Sequence, residues 1–150
     1  MALRIPPLLL VFLAVLLMGM LAELTPGWRL GFPGSAALAV LLALLGAWVA
    51  ARGVLDFRRA STTVDPRDPS LSSALVVDGV YRYSRNPMYL GFLLALIGWA
   101  LYLQSWLALL VLPGFVLYLN RYQIRPEEQA LEARFGEGFR DYRRRVRRWL

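Results

Sequence analysis

The chain has 150 residues, 58% of them hydrophobic, and a formal net charge of +7; its mean hydropathy is +0.49. That is more apolar than a water-soluble domain, in which apolar residues with Gly make up roughly half. The chain contains no Cys, no His and no Lys, so disulfides, thiolate chemistry, Cys-type zinc sites and His general bases are excluded, and every basic side chain is an arginine.

The apolar residues fall in long runs, which makes a bilayer the expected solvent. Residues 5–24, "IPPLLLVFLAVLLMGMLAEL", predict a first transmembrane helix. The run exceeds the apolar core of about 7–15 residues in a secretory signal, and no small-x-small cleavage site follows, so a retained helix is expected. Residues 25–34, "TPGWRLGFPG", read as a turn-rich loop with Trp28 and Phe32 suited to the membrane interface. Residues 35–55 predict a second span, where Ala36, Ala39, Ala43, Gly46, Ala47 and Ala50 allow close helix packing.

Residues 56–87 are polar, and Pro66, Pro69, Gly79 and Pro87 rule out one continuous helix there. "SALVVDGVYRY", residues 73–83, reads as a short extended segment with a turn at Asp78-Gly79. Residues 88–103 and 105–120 are two apolar segments split by Gln104-Ser105. Each is about 16 residues, or roughly 24 Å as helix, slightly short for a hydrocarbon core of about 30 Å. A tight helical hairpin is expected, with a kink at Pro113-Gly114.

The tail starts at Arg121. Pro126, Glu127 and Glu128 suit a helix N-terminus. Leu131, Phe135, Phe139, Tyr142, Val146 and Trp149 then recur at spacings of three and four, predicting one apolar face among arginines, interrupted near Gly136 and Gly138. The expected fold is an all-α integral membrane protein with about four transmembrane helices and a C-terminal amphipathic helix. Residues 1–56 form two N-terminal helices and residues 57–150 carry the site. Arg4, the middle segment (Arg52, Arg58, Arg59, Arg67, Arg82, Arg85) and the tail hold almost all the charge, so the positive-inside rule puts both termini and the middle segment in the cytoplasm.

Two constellations stand out. Residues 79–89, "GVYRYSRNPMY", place Gly79, two arginines, three tyrosines, Asn86 and Pro87 at the start of an apolar segment. A membrane-entry anchor would use the same residue types, but the density of polar specification exceeds what an anchor needs. Glu127 and Glu128 follow the last span, where carboxylates are functional hypotheses by default. The competing role is helix N-terminal charge. Residues 143–148 read as a solvated, lipid-facing arginine run, and these charges beside apolar spans fit anionic lipid rather than nucleic acid.

"GVYRYSRNPMYLG" followed by "RPEEQALEARFGEGFRDYRRRVRRW" resembles the isoprenylcysteine carboxyl methyltransferase and phospholipid methyltransferase superfamily, over about residues 57–150. The resemblance implies a membrane methyltransferase using S-adenosyl-L-methionine. By position, Tyr81 would line the cofactor pocket and Asn86, Pro87, Met88 and Tyr89 would wrap the cofactor. Leu75 and Val76 would lie against its adenosine end, Glu127 would hold its polar end beside Glu128, and Arg85 precedes the stretch as the family's Arg does. Asn86 departs from the His of the eukaryotic carboxyl methyltransferases. Gln123 stands near their substrate-contacting Arg, and the flanking Arg121 and Arg125 are the candidates for positioning the acceptor.

The inventory suits this chemistry. A carboxylate acceptor is already ionised at pH 7, so methyl transfer to it needs neither a base nor a metal. The expected acceptor is apolar or lipid-like. Two other functions fit less well: a nicotinamide-dependent membrane reductase of the sterol-reductase type, and a non-enzymatic membrane assembly protein.

Overall fold

A computed structural model describes residues 5–27, 31–59 and 75–150. The expectations for Arg4, Trp28, Pro66, Arg67 and Pro69 fall outside these residues. Among the described residues every regular element is helical. Pro6 and Pro7 open helix α1 (Pro7–Leu24), where proline's missing N–H costs nothing because the first turn has no intrahelical acceptors. Helix α2 covers Ser35–Arg59. A short 3-10 turn, Gly79–Arg82, precedes helix α3 (Pro87–Leu103), which also opens on proline.

Helix α3 ends at Gln104, in the left-handed region at φ 52°. Ser105 then caps the next turn by accepting a hydrogen bond from the Ala108 N–H at 3.3 Å. This is the tight tip expected at Gln104-Ser105. The return leg begins as α4 (Trp106–Leu109), breaks at Leu110 and resumes as α5 (Val111–Tyr118). The break sits where the ring of Pro113 would crowd the carbonyl of Leu109, four residues back.

The return leg does not stop where the tail was expected to begin. A π-helical stretch, Leu119–Ile124, carries it directly into α6 (Arg125–Phe135), and Arg125 N–H donates to the Asn120 carbonyl, five residues back. Pro126 has no N–H to offer, and its ring crowds the Tyr122 carbonyl, which fits the wider register just ahead of it. Gly136, at φ 52°, separates α6 from α7 (Glu137–Arg145). The helical face expected to run on through Val146 and Trp149 ends at Arg145. Val146 is extended because the backbone beyond it bonds to the loop at residues 84–86 instead.

Among the described residues, three helical runs are long and apolar enough to cross a membrane: α1, α2 and the 30-residue run Trp106–Phe135. Helix α3, with 17 residues, is shorter, and the fourth span expected from the sequence rests on it. Leu8, Phe12, Leu16, Leu41, Leu44 and Trp48 project outward from α1 and α2. Such a surface is stable against lipid but not against water.

Helices α2 and α3 pack through their small residues. A Cβ at Gly91 would overlap the Gly46 carbonyl oxygen, and one at Gly98 would lie 2.7 Å from the Ala39 carbonyl. Glycine on both sides therefore permits backbone contact, which is how helices associate where burial from water supplies no driving force. This packing holds the end of α2 beside the start of α3. A separate apolar cluster forms at that end: Tyr81, Phe139, Tyr142 and Val146, packed with Phe57, Leu75, Val76, Leu131 and Phe135.

Candidate functional site

The loop before α3 is built on a carboxylate. Asp56, buried in the last turns of α2, accepts a hydrogen bond from the Val80 N–H at 3.1 Å and pairs with Arg52 one turn earlier at 3.4 Å. Gly79 adopts φ 62°, and a Cβ there would collide with the Asp56 carboxyl group. The turn expected at Asp78-Gly79 therefore exists because glycine both tolerates a positive φ and leaves room for Asp56. The 3-10 turn that follows drives Tyr81 inward, edge-on to Phe57 at 5.1 Å between ring centroids. The Tyr81 carbonyl accepts a 2.7 Å hydrogen bond from the Tyr142 hydroxyl of α7.

Helix α3 then places Tyr89, 4% exposed, in its first turn. Its hydroxyl donates to Glu127 Oε1 at 2.6 Å. The two halves of the sequence pattern, separated by the whole hairpin, thus meet at one short bond. Glu128, the next residue, turns to a different pair of partners. Arg85 Nη2 lies 3.1 Å from its Oε1, and the Arg148 guanidinium spans both oxygens, with Nη2 2.6 Å from Oε2 and Nε 3.1 Å from Oε1. The fork matches the two-donor geometry that makes arginine–carboxylate pairs specific.

Three polar atoms in this region are buried with no hydrogen-bond partner among the described residues: the Tyr81 hydroxyl and Arg85 Nε and Nη1. Native proteins rarely leave such atoms bare unless a ligand, ion or water completes them. Burial pushes the Tyr81 phenol up, and the nearby Tyr142, Asp56 and Glu127 push it further. Burial likewise raises Tyr142, with Arg85 opposing. Burial lowers Arg85 from its ordinary value, Glu128 opposes that change and Arg148 adds to it. At neutral pH the phenols are protonated and Arg85 is a cation.

Beside Gly79 lies a recess of about 370 Å³ whose lining includes Asp56, Leu75, Val76 and Asp78. The expected site residues therefore divide. Leu75 and Val76 line the recess, Tyr81 packs on Phe57 and accepts from Tyr142, Tyr89 bonds to Glu127, and Arg85 joins Glu128. Pro87 is buried as the first residue of α3, and Met88 packs toward Gly53 of α2 rather than toward Glu127. The Asn86 side chain donates to the Arg148 carbonyl at 2.9 Å. Arg121 and Arg125 are exposed and share no ion pair with the cluster among the described residues. Gln123 is buried and donates to the Ile5 carbonyl at 2.8 Å, tying the return leg to the start of α1.

Sequence reasoning missed Asp56, Asn120 and Arg148. Asp56 carried one signal, a lone carboxylate four residues after Arg52 near the end of an apolar helix. Arg148 had none, since it sits in a run of arginines that reads as a solvated surface. Its neighbours Arg143, Arg144, Arg145 and Arg147 are indeed exposed, whereas Arg148 is drawn in to Glu128.

A phospholipid methyltransferase family profile matches residues 35–138, which hold α2, the loop, the hairpin, α6 and the start of α7. The chain belongs to the phospholipid methyltransferase family. Within the wider superfamily, 72 residues are 32% identical to the protein-S-isoprenylcysteine O-methyltransferase of Schizosaccharomyces pombe, over 48% of this chain and 30% of that one. An uncharacterized protein of Haemophilus influenzae is 48% identical over 63 residues, 42% of this chain and all of that one. The chain thus matches under a third of the length of the Schizosaccharomyces enzyme. No solved structure matches it. Tyr89 and Glu127 both lie within the matched residues.

Proposed function

We propose that the protein is an integral membrane methyltransferase that uses S-adenosyl-L-methionine to methylate an apolar or lipid-like acceptor at the cytoplasmic face. The observation that carries this reading is the 2.6 Å bond from Tyr89 to Glu127, which joins the family's two motifs at one place. When bound, the cofactor supplies a methyl group activated on a sulfonium centre.

The residues fit that molecule. Its amino-acid end bears an ammonium and a carboxylate on one carbon. Glu127, with Tyr89 bonded to it, offers an anion for the first. Arg85, with Nε and Nη1 unpartnered among the described residues, offers a cation for the second. The tyrosine rings provide π faces for a sulfonium, an attraction of about 0.5–2 kcal/mol. The recess lined by Leu75 and Val76 offers apolar side chains and backbone for the adenosine end.

The chain's own chemistry is positioning. Tyr81 and Tyr142 hold their protons at neutral pH and are poor bases, and the chain has no His or Cys. A carboxylate acceptor suits this inventory because it arrives ionised and releases no proton when it is alkylated. Alignment of two bound reactants can itself supply several kcal/mol of the barrier, up to about 7–11 kcal/mol. Titrating S-adenosylmethionine into the purified protein tests the proposal. Saturable binding that Tyr89→Phe and Glu127→Gln weaken supports it, and absence of binding removes it.

A further inference from the structure

Helix α2 ends in a feature that the function just described does not use. Leu41, Leu44, Trp48 and Arg52 follow one another at spacings of three and four, so they share one side of the helix. Leu41, Leu44 and Trp48 are each more than half exposed. Arg52 is the first charged residue of α2. From Leu41 to Arg52 the helix rises roughly 16 Å, about half of a hydrocarbon core of about 30 Å. An outward apolar stripe about as long as one bilayer leaflet is deep thus ends in a guanidinium group.

The stripe leads into a notch of about 480 Å³ lined by Trp48, Arg52, Gly79, Val80, Arg82 and Tyr83. The lining shares no residue with the Tyr89–Glu127 pair or with the Arg85, Glu128 and Arg148 cluster. Its two charged side chains are both arginines. The carboxylates that pair with them, Asp56 and Asp78, line the neighbouring recess instead. The Arg52–Asp56 contact is long, at 3.4 Å, and the Asp56 carboxyl group also takes the Val80 N–H. Arg82 gives Nε and Nη2 to one oxygen of Asp78, and both side chains are more than two-thirds exposed. An exposed pair of that kind contributes little, so Arg82 can turn toward an anion in the notch at small cost. Trp48 and Tyr83, both largely exposed, are the residue types that gather at headgroup level.

An aromatic anchor accounts for the two rings but not for two guanidinium groups in a concave lining without a carboxylate. A choline headgroup would meet the rings and also two like charges, whereas an anionic headgroup meets opposite ones. A free phosphate would use the arginines and leave the apolar stripe idle. We propose that the notch binds the phosphate headgroup of an anionic phospholipid, with Arg52 and Arg82 on the phosphate and an acyl chain along Trp48, Leu44 and Leu41. The site stands independently of the methyltransferase reading.

The test measures retained lipid by native mass spectrometry on the full chain in detergent, titrated with phosphatidylglycerol or with phosphatidylcholine of the same acyl chains. Wild type is expected to hold phosphatidylglycerol about 10-fold more tightly than phosphatidylcholine. Arg52→Gln and Arg82→Gln each weaken phosphatidylglycerol by about 5–10-fold. Arg145→Gln removes the same charge from the exposed side of α7 and changes that affinity by less than about 2-fold. Trp48→Ala weakens both lipids by about 3-fold. Glycerol phosphate at about 100-fold excess leaves the lipid bound, because it lacks the chains. Equal losses in Arg82→Gln and Arg145→Gln reduce the notch to diffuse attraction by a basic surface and overturn the proposal. Equal affinity of wild type for the two lipids reduces it to an aromatic anchor, and displacement by glycerol phosphate makes it a site for soluble phosphate; either result overturns the proposal. If Arg52→Gln does not fold, because Asp56 has lost its partner, the comparison of Arg82→Gln with Arg145→Gln decides.

Discussion

Tyr89 and Glu127 lie 38 residues apart in the chain and 2.6 Å apart in space. The hairpin between them is folded back by Gln104 and Ser105, and its return leg continues as helix far enough to carry Glu127 beside the first turn of α3. A phenol that is itself buried donates here to a carboxylate, and such charged bonds contribute about 1.5–3 kcal/mol. Tyr89→Phe keeps the ring and removes the bond. It is expected to weaken S-adenosylmethionine binding by about 10-fold or more, read by titration, while the helical content by circular dichroism stays unchanged.

Asn86 stands where the eukaryotic carboxyl methyltransferases carry His. Its side-chain amide donates to the Arg148 carbonyl, and its backbone N–H donates to Ser84 Oγ at 3.1 Å. The side-chain bond needs one donor and no charge. A neutral His can supply it and an Asp cannot. Asn86→His is therefore expected to retain cofactor affinity within about 3-fold, whereas Asn86→Asp sets an anion against a carbonyl and costs about 1–3 kcal/mol of stability. Thermal unfolding in detergent, paired with cofactor titration, reads both outcomes.

The contact between α2 and α3 predicts a sharp dependence on side-chain size. Gly91→Ala places a methyl group against the Gly46 carbonyl and Ala50, backbone that cannot move without parting the helices. A loss of about 1–3 kcal/mol is expected, as for overpacked cores. Gly19→Ala, on α1 with nothing within 4 Å of the new atom, serves as the control and leaves stability unchanged or raises it by up to about 1 kcal/mol. Unfolding midpoints of the two variants make the comparison.

Alkaline pH acts through Tyr81 and Tyr142. Both phenols are raised in the folded protein, chiefly by burial. Their stabilising contribution is fully present below the unfolded tyrosine value of about 10 and is lost as pH rises from there toward the folded values. Stability should be flat with respect to these groups from pH 7 to about 9 and fall above about 10. Tyr142→Phe removes one of them. It lowers stability at pH 7 through the lost bond to the Tyr81 carbonyl but makes the alkaline fall shallower. Unfolding midpoints measured from pH 7 to 11 for both proteins give the slopes.

Much of this arrangement could be read from the residues because it is local. Pro7 and Pro87 start helices, Gln104-Ser105 turns the chain, Gly136 interrupts the tail, and the small residues of α2 mark its packing face. The family pattern assigned Tyr89 and Glu127 separately to one cofactor, but their direct bond was not legible, since no local rule links residues across a hairpin. What stayed hidden depends on tertiary contact. The π-helical stretch that makes the return leg continuous follows from Pro126 and from bonds such as Gln123 to Ile5. The helix stops at Val146, which still packs with Phe139 and Tyr142, because residues 147–149 have partners in the loop. Arg148 differs from the arginines before it only in what surrounds it, and sequence periodicity carries no record of surroundings.

The most direct measurement is a calorimetric titration of S-adenosylmethionine into wild type, Tyr89→Phe and Glu127→Gln in the same detergent. The account predicts one saturable site in wild type and affinities at least about 10-fold weaker in both variants, each still folded by circular dichroism. Absence of heat in wild type, or equal affinity in all three proteins, would contradict it.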